Sequence, residues 1–163
     1  MMNQEDIDPS YDDNIAFIFC CEKGYTEIAK LLMEDERVNS INDFTYCFCI
    51  RVACKKGHLN IIKLLLNHKI INPYKHANLF IQVASESNRL DIIKFLLNNE
   101  RFNPAIKNNY CIQTAFTKKY NKAVHLLWKD QRVKNTLKND NIILYNELIK
   151  KDKLIIKNKL ELF

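Results

Sequence analysis

A nine-residue pattern recurs along this chain at nearly constant spacing, and that repetition limits the possible fold more than any other feature. The copies GYTEIAKLL from Gly24, GHLNIIKLL from Gly57, NRLDIIKFL from Asn88 and KYNKAVHLL from Lys119 start 33, 31 and 31 residues apart. A fainter copy, KKDKLIIKN, begins at Lys150, another 31 residues on. Each copy follows a short apolar stretch: IAFIFCCEK, FCIRVACKK, LFIQVASES, YCIQTAFTK and NIILYNELI. The links ERVNSIND, KIINPYKH, ERFNPAIK and QRVKNTLK separate successive rounds. Within a round, Ile61, Ile62, Leu64, Leu65 and Leu66 recur at helical spacing, and Lys63 and Asn67 fall on the opposite side. The order predicts two helices per round. One helix pair cannot bury both of its apolar faces, whereas copies set side by side can, so the rounds should stack into a solenoid.

The punctuation supports this reading. There are only two glycines and three prolines in 163 residues. Gly24 and Gly57 hold the same place, just beyond the first helix of a round, where a left-handed residue ends a helix cheaply. Asn88 is the usual second choice, and Lys119 and Lys150 should hold that place at some strain or with altered geometry. Pro9, Pro73 and Pro104 each follow Asp or Asn in a link, where proline is expected to keep the chain extended and outside either helix. Two isolated glycines cannot make a phosphate-cradling loop or a dinucleotide fingerprint. With 47% apolar and 27% charged residues, a wholly disordered chain is excluded as well. A single all-α domain over residues 1–163 is expected. Its rounds fall at about 8–38, 39–71, 72–102 and 103–133, with a degenerate cap at 134–163.

The run Phe48 to Leu66, FCIRVACKKGHLNIIKLLL, resembles the ankyrin repeat, whose usual pattern is TPLHxAAxxGHLEVVKLLL. The second half matches closely, and the Thr-Pro-Leu-His half is lost in every round. The Asp-Pro or Asn-Pro links, with Ile50-Arg51, Ile81-Gln82 and Ile112-Gln113, resemble the ankyrin proteins of mimivirus-like giant viruses of amoebae. The resemblance covers roughly residues 8–160, strongly to 130. It implies about five stacked helix-turn-helix repeats acting as a non-catalytic protein-interaction module, which presents a concave face of repeat tips and inner helices. Loss of the Thr cap and the first-turn Pro should cost on the order of 1 kcal/mol per repeat.

Carried onto this sequence, the binding positions of such repeats become Tyr11, Asp12 and Asn14; Phe44, Thr45 and Cys47; Lys75, His76 and Asn78; and Ile106, Lys107 and Asn109 at the tips. On the inner helices they become Glu22, Lys23, Lys55, Lys56, Glu86, Ser87, Thr117 and Lys118. Aromatic side chains make good interface anchors, so Tyr11, Phe44 and neighbouring Tyr46 are the preferred contacts. The alternative is that Phe44 and Tyr46 pack on the adjacent link.

Other chemistry has little footing. His58 occupies the Gly-His position and should be structural, and His125 replaces outward lysines of the second helix. His68 and His76 show no cysteine or carboxylate at catalytic spacing, and no nucleophile set emerges. The six cysteines form no CxxC pair, so neither metal nor cofactor is expected, and all but Cys47 sit in apolar runs. The first 13 residues are acidic and unlike a signal peptide, and the longest apolar run, Ile15 to Cys21, is too short for a bilayer. A cytoplasmic setting follows, the host's cytoplasm if the chain is viral, with a monomer and no membrane partner expected.

Charge is divided unevenly. Residues 1–50 carry 3 basic and 11 acidic groups, and residues 51–163 carry 22 basic and 8 acidic. Nucleic-acid association through the basic body is therefore an alternative to a protein partner, and a decayed copy without a partner is another. The first apolar stretch, Ile15 to Cys21, should be partly uncovered unless residues 1–13 or another protein lies over it. The closing segment, with Leu154, Ile155, Ile156, Leu160, Leu162 and Phe163 among lysines, reads as a final packed helix or, alternatively, a membrane-surface helix.

Overall fold

The structure, a computed structural model, describes residues 8–38, 42–67 and 73–160, and at positions 13, 73, 74 and 155–160 it describes the backbone alone. Among these residues there are ten α-helices and no strand: α1 (Tyr11–Lys23), α2 (Thr26–Glu34), α3 (Asp43–Lys56), α4 (Leu59–Leu66), α5 (Ala77–Glu86), α6 (Leu90–Leu97), α7 (Ile106–Thr117), α8 (Asn121–Lys129), α9 (Gln131–Asp140) and α10 (Ile142–Leu160). The odd-numbered helices pack in series from α1 to α9, and α2, α4, α6 and α8 form the second row. The molecule is an all-α solenoid.

Apolar spacing decides which faces close. Ile61, Ile62 and Leu65 of α4 are fully buried, as are Ile92, Ile93 and Leu96 one round later, while Lys63 and Lys94 face outward. Fully burying each such side chain contributes roughly 1.5–3 kcal/mol, so the stack is held mainly by these rows. Cys20, Cys21, Cys49, Cys54 and Cys111 are buried free thiols in the same core.

The turn between the helices of a round is built as the glycines suggest. Gly24 (φ 79°) and Gly57 (φ 86°) are left-handed, and so are their counterparts Asn88 (φ 55°) and Lys119 (φ 59°). A second reason for glycine comes from the neighbouring round. A Cβ on Gly24 would lie 2.6 Å from His58 Nδ1, and one on Gly57 would lie 3.2 Å from the Arg89 guanidinium. From the second round on, a side chain beside the glycine position reaches back along the stack, the following residue at Gly57 and Asn88 and the preceding one at Lys119. His58 Nε2–H donates to the Glu22 carbonyl at 2.8 Å, and Arg89 Nε donates to the Lys55 carbonyl at 2.8 Å. Lys118 Nζ does the same to Glu86 O at 2.8 Å. His58 is structural, and it ties two rounds together.

The links depart from expectation. Pro9 and Pro104 sit in turns and Pro73 opens a 3-10 turn, so proline here starts a tight bend instead of holding an extended link. The preceding acceptor explains it: Asp8 Oδ1 accepts from Ser10 N–H at 2.9 Å, and Asn103 Oδ1 from Ala105 N–H at 3.0 Å. The missing threonine cap is replaced at α3 by Asn42, whose Oδ1 accepts from Thr45 N–H at 2.8 Å.

The largest correction is at the far end. QRVKNTLK, expected as a link, is helix α9, and it takes the first-row place against α7. The chain turns on Asp130 alone, whose carboxylate accepts from Arg132 N–H at 2.9 Å and caps α9. Val133 and Leu137, four residues apart, provide the buried stripe. Lys150 breaks no helix, because α10 runs through it without interruption. The cap's first helix therefore begins at Gln131, ten residues before the stretch NIILYNELI expected to form it. Of the closing apolar residues, Leu154 is exposed, and the side chains of Ile155, Ile156, Leu160, Leu162 and Phe163 lie outside the described residues.

Candidate functional site

Helix starts in the first row decide which tip residues reach solvent. Tyr11 and Phe44 hold equivalent positions, thirteen residues before Gly24 and Gly57, and are 74% and 80% exposed. One turn further along each helix, Ile15 and Phe48 are 51% and 43% exposed. Large apolar side chains left this open at paired positions of adjacent helices form a patch on the first two rounds. Phe48 and Ile15 were not among the expected contacts. Their i+4 spacing from Phe44 and Tyr11 was the available signal; Ile15 lies in the stretch expected to be partly uncovered, whereas Phe48 lies in a run that reads as core.

Two expected contacts are buried. Thr45 is 2% exposed and Tyr46 fully buried, because α3 begins at Asp43 and already in its first turn directs these two side chains to the core while Phe44 points out. The Tyr46 hydroxyl donates to the Leu65 carbonyl at 2.8 Å, so this ring belongs to the packing between α3 and α4. Asn14 and Asn109 are buried too. Asn109 Nδ2 donates to Asp140 Oδ2 at 2.9 Å and its Oδ1 accepts from Thr136 at 3.0 Å, which fastens α9 to α7.

The remaining positions line the face with charge. Asp12, Lys55, Lys56, Lys107 and Lys118 are exposed, and Glu86 is half-buried, accepting a 2.8 Å hydrogen bond from the Tyr110 hydroxyl. Lys75 is exposed and pairs with Asp43, holding that carboxyl below its ordinary range. His76 is not isolated from cysteine and carboxylate as its sequence neighbours suggested. Its Nδ1 lies 3.3 Å from Cys47 Sγ, and its Nε2 lies 3.5 Å from Asp43 Oδ1. The line resembles a nucleophile–base–acid set in composition only. Burial, and after it the Asp43 carboxylate, push the Cys47 thiol above its ordinary pKa, so the thiol stays protonated at neutral pH. Its reach is structural: α3 is tied to the turn before α5.

Away from the tips, a cleft of about 350 Å³ lies between α8 and α10, lined by Phe116, Val124, Trp128 and Leu148, with exposed His125 at its edge. Three of its polar groups are already engaged, Trp128 Nε1–H with Asp152 and Lys151 4.6 Å above the Phe116 ring. Among the described residues no His/Cys/Asp/Glu cluster could hold a metal ion, and no helix is long and apolar enough to cross a membrane.

Stacked helical hairpins in two rows define a helical repeat protein. A family model for ankyrin repeats in three copies matches residues 17–109, and the chain belongs to the ankyrin repeat family. Ankyrin repeats are generally non-catalytic protein–protein interaction modules. Neither the curated proteins nor the solved structures give a match.

Proposed function

We propose that this chain is a protein-docking module whose contact face runs along the tips and first-row helices. Exposure of Tyr11, Ile15, Phe44 and Phe48 on adjacent helices carries the reading, because buried aromatic anchors supply most of the energy in protein interfaces. Lys55, Lys56, Lys75, Lys107 and Lys118, with Asp12 and Glu86, form the charged surround. The partner this favours presents an apolar side chain or two within an acidic or mixed-charge surface. The reading takes the encounter to be cytoplasmic, in the host's cytoplasm if the chain is viral as the likeness of its links to proteins of mimivirus-like viruses implies.

Nucleic-acid association is the second reading, favoured by residues 101–134, which carry 8 basic groups and 1 acidic. Several cations of the chain are engaged within it: Arg132 with Asp130 at 2.7 Å, Lys118 with Glu86 O, and Lys134 5.2 Å from the Trp128 ring. Quantitative affinity purification from the natural cell separates the two. Under the docking reading, Phe44→Ala/Phe48→Ala and Lys55→Glu/Lys56→Glu each lose the proteins that the unaltered chain retains. Equal recovery by all three would reject this face. Retention of nucleic acid that falls steeply with salt and ignores Phe44 would favour the second reading.

A further inference from the structure

The outer side of α1 and α2 is an open apolar face. Phe19, Tyr25, Ile28 and Leu31 are 49%, 50%, 52% and 66% exposed, and the Phe19 and Tyr25 rings meet edge-on at 6.2 Å. One round later, the residue equivalent to Ile28 is Ile61, and two rounds later Ile92; both are fully buried. Tyr25 holds the position of His58 and Arg89, the side chains that donate to a carbonyl of the preceding round. This face therefore has the form of the receiving half of an inter-round contact, complete with a polar group placed to reach a helix end.

The opposite end of the stack offers a counterpart. Leu144 and Leu148 bury one side of α10, and Ile143, Lys150 and Leu154, seven and eleven residues apart, fall on the other. Ile143 is 80% and Leu154 58% exposed, with Ile142 at 50% beside them. Charge makes the two ends complementary. Residues 8–38 carry eight acidic and three basic groups, a net −5, whereas residues 131–160 carry eight basic and three acidic, a net +5. Glu27, Glu34 and Glu36 are exposed at the first end, and Lys150, Lys151 and Lys153 at the second.

We propose that the α1–α2 face receives the α9–α10 end of a second copy, so that the stack continues head to tail from one molecule to the next. The two surfaces differ, so the contact is heterologous: it leaves one receiving and one donating end free and can extend beyond a dimer. Two copies joined through the same acidic face would instead place like charges together, which disfavours the symmetric arrangement.

Sedimentation equilibrium of the full chain and two variants tests this. Ile28→Lys/Leu31→Lys blocks the receiving face and Ile143→Glu/Lys150→Glu the donating end. All four positions are exposed, and helical circular dichroism checks that each variant folds. If a pair fails this check, Leu31→Lys alone or Lys150→Glu alone takes its place. For the unaltered chain, the weight-average mass is expected to rise above 19.3 kDa with concentration at low salt and to fall back as salt is added. Each variant alone should remain a monomer, and an equimolar mixture should form a one-to-one complex that grows no further, since each retains one working end. An unaltered chain that stays monomeric throughout would overturn the proposal. So would self-association of the donating-end variant alone, or a mixture that does not associate.

Discussion

At the level of single residues, the position that ends each first-row helix carries the clearest energetic consequence. All four occupants are left-handed, yet only two are glycine. Such a backbone costs a side-chain-bearing residue roughly 1–2 kcal/mol, less for asparagine. Lys119→Gly is therefore expected to stabilise the chain by about 1 kcal/mol, read as a higher urea midpoint. Gly24→Ala should destabilise more than Gly57→Ala, because its methyl group would lie 2.6 Å from the His58 ring, whereas the one at Gly57 would stay 3.2 Å from the Arg89 guanidinium. Equal losses at the two glycines would remove the role given to His58. The glycine positions were legible from the sequence because a left-handed residue leaves a compositional mark. The burial of Tyr46 and Thr45 was not, since it depends on where α3 begins, and the Asn42 cap that sets the start follows no threonine-proline signature.

Among the helices, α9 shows how far a periodic reading can reach. Its sequence has little apolar content, with Val133 and Leu137 alone buried, and it lies where three earlier rounds place a link. Tertiary contacts decide the matter: Asn109, Thr136 and Asp140 bind it to α7, and Asp130 caps it. Burial by itself raises the Asp130 carboxyl, but hydrogen bonds from the Arg132 side chain and backbone outweigh it, leaving the pKa below 3.8. A carboxyl depressed in the folded state adds stability that is intact above its unfolded value, about 3.9, and is lost as pH falls through the folded one. Acidification from pH 5 toward 2 should lower amide protection in residues 131–140, measured as exchange relative to the unstructured chain at the same pH. In Asp130→Asn, which keeps a capping oxygen but has no proton to gain, that acid response should be weaker. An unchanged response would show that Asp130 does not govern α9.

Over the whole molecule, each round covers the next, and function depends on what the stack leaves open. The solenoid was readable from repetition and apolar spacing because both follow from local geometry. The proposed docking face was readable only in part: Tyr11, Phe44 and the lysines were named from the sequence, while Phe48 and Ile15 join it on their exposure in the structure. The claim beneath all of this is that the inter-helix turns of successive rounds are in contact. Proton–proton contacts measured by nuclear magnetic resonance, in dilute solution at high salt, test it directly. Glu22 should be seen next to His58, Lys55 next to Arg89, and Glu86 next to Lys118, at separations of 36, 34 and 32 residues. If those pairs show no contact and α1 instead lies against α9, the chain is a closed globule and the account is wrong.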